Sequence, residues 1–184
     1  MNNMSINPTV IITTYNKPHE LDLVLCGLNM QKIFPHEILI ADDGSTSDTA
    51  DVIKKWSSII PVPVKHIWHE DVGNRKSFIC DLAASKAEGD YLIFLDGDSI
   101  PHPSWVSDHM DAAQENTVLC GRRVRLGEKF SHSIDVNLIE SGKLFRPLGP
   151  LLTSFLANDA KRYSLGIRLP KLIARCLHLS LIHI

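Results

Sequence analysis

Tyr91-Leu92-Ile93-Phe94-Leu95-Asp96-Gly97-Asp98 is the stretch on which the architecture turns. These five apolar residues in a row make the most apolar strand of the chain. The run stops at two carboxylates set about one glycine, a combination that ends strands. Upstream, residues 74–87 carry Phe78, Ile79, Leu82 and Ala83 at helical spacing, and Glu88-Gly89 closes that helix. Before it, Pro61 and Pro63 punctuate the approach to a strand over residues 64–68, and Thr46 or Ser47 opens a helix running to Trp56. Glu37-Ile38-Leu39-Ile40-Ala41 is another strand, ended by Asp42-Asp43-Gly44-Ser45. Leu21, Leu25 and Leu28 recur at helical spacing behind Pro18, with Asn16 placed to cap that helix. The β-branched run Thr9-Val10-Ile11-Ile12-Thr13-Thr14 is the first strand. Downstream, residues 105–115 read as a helix and residues 118–126 as a strand.

Strands alternating with helices imply βαβ crossovers, hence an α/β fold with a mainly parallel sheet flanked by helices. Ligands in such sheets bind beyond the carboxyl ends of the strands. Both acidic clusters, Asp42-Asp43 and Asp96-Gly97-Asp98, fall there. A division follows: residues 1–126 form a ligand-binding α/β unit, and residues 127–184 a looser helical segment. Residues 151–156 and 169–177 of that segment read as amphipathic helices among Lys161, Arg162, Arg168, Lys171 and Arg175. That basic face is either a solvated helix surface or one apposed to a membrane.

The 184 residues suffice for one sizeable core. Lys plus Arg is 19 against 21 Asp plus Glu, a net charge of -2, which argues against nucleic acid as a partner. Hydrophobic residues at 44% and charged residues at 22% exclude a disordered chain. Apolar runs reach only about five residues, far from the ~20 that span a bilayer, and the N-terminus lacks the pattern of a signal peptide. The 4 cysteines, at positions 26, 80, 120 and 176, contain no Cys-x-x-Cys and fit a reducing cytoplasm.

Asp96 and Asp98 can converge on one hard cation, Mg²⁺ or Mn²⁺, which carboxylate oxygens favour. The same residues also read as a plain polar turn. Asp42 and Asp43 need an offset for their mutual repulsion at a buried strand end, and a carboxylate there can bind a base edge or a ribose hydroxyl. The alternative is a turn leading into a helix cap at Ser45, Thr46 or Ser47. Arg75 and Lys76 place cations at a helix's positive end, sensible if an anion lies there and otherwise ordinary surface charge. Of the 9 histidines, His66 and His69 lie three apart near a strand, facing opposite sides, so no zinc site is expected. Neither a P-loop nor a serine-hydrolase elbow is present. Arg122 and Arg123 read either as the lining of an acceptor site or as charges on an edge strand.

Three segments together, Val10-Ile-Ile-Thr-Thr-Tyr-Asn-Lys17, Ile40-Ala-Asp-Asp-Gly-Ser-Thr-Ser-Asp48 and Ala87-Glu-Gly-Asp-Tyr-Leu-Ile-Phe-Leu-Asp-Gly-Asp98, resemble family 2 glycosyltransferases of the GT-A fold, over residues 8–126. Asp96-Gly97-Asp98 followed by Ile100-Pro101 is similar to the bacterial, polysaccharide-building branch of that family. The resemblance implies a nucleotide-sugar donor, UDP-linked in most members, and a glycan or lipid-linked acceptor at the cytoplasmic face of a membrane. It implies that Thr13 and Tyr15 lie against the base, Asp43 binds the base and Arg75 meets the diphosphate. Asp98 would hold Mg²⁺ or Mn²⁺, with Asp96 on the ribose or sharing the ion.

The family's general base is expected in a later acidic pair, and none follows Asp98: Asp108, Asp111, Glu115, Glu128, Asp135, Glu140 and Asp159 are isolated. The apolar ending Leu179-Ser-Leu-Ile-His-Ile184 resembles a read-through adapter. The expectation is a truncated, inactive form of an inverting transferase with a non-native tail. Two rivals are a sugar nucleotidyltransferase, which would need a glycine-rich loop after the first strand, and an inactive nucleotide-sugar-binding module.

Overall fold

The computed structural model describes residues 6–121, 123–146, 149–157 and 159–161. Strands β1 (Pro8–Thr14), β2 (Glu37–Asp42), β3 (Val64–Trp68) and β4 (Tyr91–Asp96) form one parallel sheet in the order β3-β2-β1-β4. Helix α1 (Pro18–Asn29) joins β1 to β2, α2 (Ser47–Ser57) joins β2 to β3, and α3 (Lys76–Ser85) joins β3 to β4. The first two crossovers step one way along the sheet and the third steps back past β2 and β1. A right-handed connection must then put α3 on the opposite face from α1 and α2.

The core shows that division. Val10, Ile12, Ile38, Ile40 and Ile93 pack with Leu21, Leu25, Leu28, Ile53 and Trp56 of α1 and α2. Ile11, Leu39, Ala41 and Ile67, alternating with them, pack on the other face against Ile79 and Ala83 of α3. Both faces of β1 and β2 are covered, which is why their runs are uniformly apolar.

The amino-terminal rim of the sheet is clasped by one buried carboxylate. Glu37 accepts the Thr9 hydroxyl at 2.8 Å and the Glu88 N–H at 2.6 Å, and lies 2.9 Å from Lys65 Nζ. Burial would raise its pKa, but these donors outweigh it and hold the carboxyl below its ordinary range. Gly89 passes so close that an added Cβ would lie 2.2 Å from the Asn7 carbonyl.

Helix α4 (Trp105–Ala112) follows β4. Of the strand expected over residues 118–126, only β5 (Arg125–Leu126) is paired among the described residues, and Val118 is 87% exposed. Beyond it come α5 (Glu128–His132), α6 (Val136–Glu140), a 3₁₀ turn (Lys143–Phe145) and α7 (Pro150–Leu156), before β6 (Ala160–Lys161) pairs antiparallel with β5. Helix α7 falls on the segment read as amphipathic. Ile134, Ile139, Leu144 and Leu151 join the same buried cluster as α1. The helix expected over residues 169–177, most of the basic positions around it, and residues 179–184 lie outside the described residues, as does Arg122. Among the described residues, no helix is long and apolar enough to cross a membrane.

Candidate functional site

Parallel pairing brings every strand's carboxyl end to one rim, and the register decides what meets there. Thr13 pairs with Ala41 on one side and Asp96 on the other. Past the strand ends, Asp43 donates its N–H to the Thr14 carbonyl at 3.0 Å and Gly97 donates to the Thr13 carbonyl at 2.8 Å. A Cβ at Gly97 would lie 2.5 Å from the Thr13 oxygen, so glycine is required between the two carboxylates. The crevice beside β1 and β4, where the strand order reverses, is a cavity of about 470 Å³. Its lining includes Thr13, Tyr15, Asp43, Asp96 and Asp98. Five of the six residues singled out as nucleotide or metal ligands are thus brought together.

The adjacent acids Asp42 and Asp43 separate their tasks. Asp42 is fully buried and accepts the Ser45 N–H at 2.9 Å and shares a 2.8 Å hydrogen bond with His66 Nε2. Burial alone would raise its pKa, but the His66 and Ser45 contacts outweigh it and hold Asp42 low. Asp43, 7% exposed, faces the cavity. It accepts the Arg75 N–H at 3.0 and 3.2 Å and meets His69 Nε2 at 2.9 Å. The two histidines therefore each serve one member of the pair. Among the described residues, no cluster of three or more His, Cys, Asp or Glu forms a metal cage.

Arg75 is the sixth expected residue, and it enters differently. Its N–H holds Asp43, while its guanidinium lies 4.3 Å from the Phe78 ring centroid, and it is not among the cavity-lining residues. The next residue, Lys76, lines the cavity and places Nζ 2.8 Å from Asp96 Oδ1. Arg123 reaches the other Asp96 oxygen at 2.9 Å, and Lys17 lies 3.5 Å from Asp98. Lys76 chiefly, then Arg123, keep Asp96 below the ordinary carboxylate range against the opposing effect of partial burial. Sequence reasoning set Lys76 beside Arg75 without separating them, weighed His69 only as a zinc ligand, and did not single out Lys17 or Asp71.

Asn16 does not cap α1 with its side chain. It sits at φ 48°, its N–H donates to Ser45 Oγ, and its side-chain oxygen accepts the Thr46 N–H, so it ties the loop after β1 to the loop after β2. Tyr15 donates to Asp71 at 2.8 Å, and Asp71 also accepts the Gly73 N–H. These bonds tie the loop before α3 to the end of β1, and Gly73 and Asn74 of that loop line the cavity with Tyr15. Thr14 lines the cavity, and its Oγ1 is buried without a partner among the described residues. Of the acids that follow Asp98, none described lines this cavity.

The family model for glycosyl transferase family 2 matches residues 9–171. The chain belongs to that family. It is 30% identical over 118 residues to a chondroitin synthase of Escherichia coli, covering 62% of this chain and 17% of that protein, so it spans under a fifth of that relative's length. The structure of S. aureus TarS in complex with UDP is 25% identical, with a TM-score of 0.50 over 58% of this chain and 31% of that one. A mannosyltransferase from Pyrobaculum calidifontis, solved with GDP-Man and Mn²⁺, superposes with a TM-score of 0.54 at 21% identity, over 65% of this chain and 37% of that one. The fold is GT-A, with a mainly parallel four-stranded sheet flanked by helices.

Proposed function

We propose that this chain binds a nucleoside-diphosphate sugar, UDP-linked, in the cavity at the carboxyl rim, and serves as the donor half of an inverting, metal-assisted glycosyl transfer to a glycan or lipid-linked acceptor. The observation that carries this reading is the convergence of Thr13, Tyr15, Asp43, Asp96 and Asp98 from three strand ends on one hollow. The UDP bound to TarS supports the choice of nucleotide.

Tyr15, tethered by Asp71, offers a ring wall for the base beside Thr13, and Asp43 offers a carboxylate edge to it. Asp43 is fit for that part because Arg75 N–H and His69 fix its orientation before any ligand arrives. In this reading Arg75 acts on the donor through its backbone.

The donor set fits a hard divalent cation, Mg²⁺ or Mn²⁺. Asp96 and Asp98 offer carboxylate oxygens from one strand end, and a two-carboxylate site leaves positions for diphosphate oxygens and water, as such ions prefer. When bound, the ion would act as a Lewis acid on the charge that gathers on the departing diphosphate. Asp96 contacts the ribose or shares the ion. Residues beyond 126 then form part of the acceptor side, at a membrane's cytoplasmic face.

Isothermal titration of the chain with UDP and Mn²⁺ tests the reading. Saturable binding that falls at least about tenfold in Asp98→Ala is expected. No binding by the wild type, or undiminished binding by the variant, would refute it.

A further inference from the structure

The cavity's charged lining is balanced: among the described residues, Lys17, Lys76 and Arg123 stand against Asp43, Asp96 and Asp98. The balance is also closed. Lys76 and Arg123 take one oxygen each of Asp96 at 2.8 and 2.9 Å, and Arg123 lies 4.0 Å from Asp98. Those are the oxygens a divalent cation would use.

As stabilising elements these pairs are poorly chosen. Their side chains are 42 to 57% exposed, a setting in which ion pairs contribute little. The Glu37 clasp at the opposite rim buries its carboxylate to 1% exposure and adds backbone donors. Weak pairs that block a ligand's coordination sites, and whose cations themselves match the other half of that ligand, suit exchange.

We propose that Lys76 and Arg123 are placeholder counter-ions: they pair with Asp96, and pass to the diphosphate oxygens when a divalent cation takes the carboxylates. The proposal rests on the donor-site reading above. Its consequence is coupled binding. A divalent ion alone must displace two cations and leaves the cavity with about two positive charges in excess. A nucleoside diphosphate alone brings roughly three negative charges toward three carboxylates. Together they nearly cancel, and each released partner finds a new one. The coupling is reciprocal, so each ligand tightens the other by the same factor.

The test is to measure Mn²⁺ binding to the full 184-residue chain from the electron paramagnetic resonance of free Mn²⁺, with and without UDP, in the wild type and in a Lys76→Met, Arg123→Met double variant. In the wild type, UDP should tighten Mn²⁺ by at least about tenfold. In the double variant, Mn²⁺ alone should bind about threefold tighter, because competing cations are gone, while UDP with Mn²⁺ binds at least about tenfold weaker. Opposite signs in one variant are what a merely structural role would not produce. Circular dichroism melts confirm folding, with Lys76→Gln and Arg123→Gln as a second pair. Unchanged or weaker Mn²⁺ binding in the variants, while the wild type binds UDP with Mn²⁺, overturns the exchange and leaves the donor site standing. Absence of UDP binding by the wild type overturns both.

Discussion

At residue scale, Asp42 and Asp43 show how neighbouring identical side chains acquire different work. Asp42 stitches β2 to β3 through His66, and Asp43 turns outward to the cavity. Asp43→Ala removes the acceptor for the Arg75 N–H and for His69, and UDP binding measured by titration should drop at least about tenfold. Asp42 acts on stability instead. Its folded pKa lies below the unfolded value of about 4, so its stabilisation is complete above that value and is lost as pH falls through the lower folded one. Urea midpoints taken from pH 6 to pH 3 should therefore fall less steeply in Asp42→Asn than in the wild type. Gly44 has φ +94°, and a Cβ there would lie 2.6 Å from Asp71 Cα. Gly44→Ala should cost about 1–3 kcal/mol in chemical denaturation and weaken UDP binding through the displaced Asp71–Tyr15 contact. Both acidic clusters were legible because strand ends advertise themselves. Which of Arg75 and Lys76 faces the cavity was not, since consecutive residues at a helix start diverge by about 100° and composition carries no phase.

At element scale, the four long strands and their helices follow from local patterns: β-branched or apolar runs, then leucines every three or four residues. The segment 118–126 defeated the same reading. Its pairing comes from β6, which begins only at Ala160, and a partner so remote leaves no trace in nearby residues. Asn16 misled for a related reason, because its side chain serves a loop thirty residues on instead of its own helix. The outer edge of β4 carries no pairing strand among the described residues, and Leu92 and Phe94 on it are 37% and 55% exposed. Such an edge invites association. Sedimentation velocity should show concentration-dependent self-association of the wild type that Phe94→Lys suppresses.

At the scale of the whole molecule, residues beyond 126 share the core of the sheet. Ile139 is fully buried in the cluster that includes Leu21 and Leu25. Ile139→Ala should cost about 2–4 kcal/mol and shift a single unfolding transition, where an independent segment would melt separately. His109, on the same side, is held below its ordinary pKa by burial. The unfolded chain takes up its proton first, so this group's contribution is intact above about pH 6.5 and declines as pH falls below that value.

The two ends of the sheet differ in how they are fastened, and deuterium uptake should make the contrast visible. At the back, the sunken Glu37 carboxylate, which no ligand needs to disturb, holds the Thr9 hydroxyl and the Glu88 N–H, so the amides around it should label only when the whole protein opens. The amides of Gly73, Asn74 and Gly97, framing the opposite mouth, should label sooner and slow down once UDP and Mn²⁺ are added. The protein's stiffness would thus be graded along its strands, anchored at the back so that the front can give way.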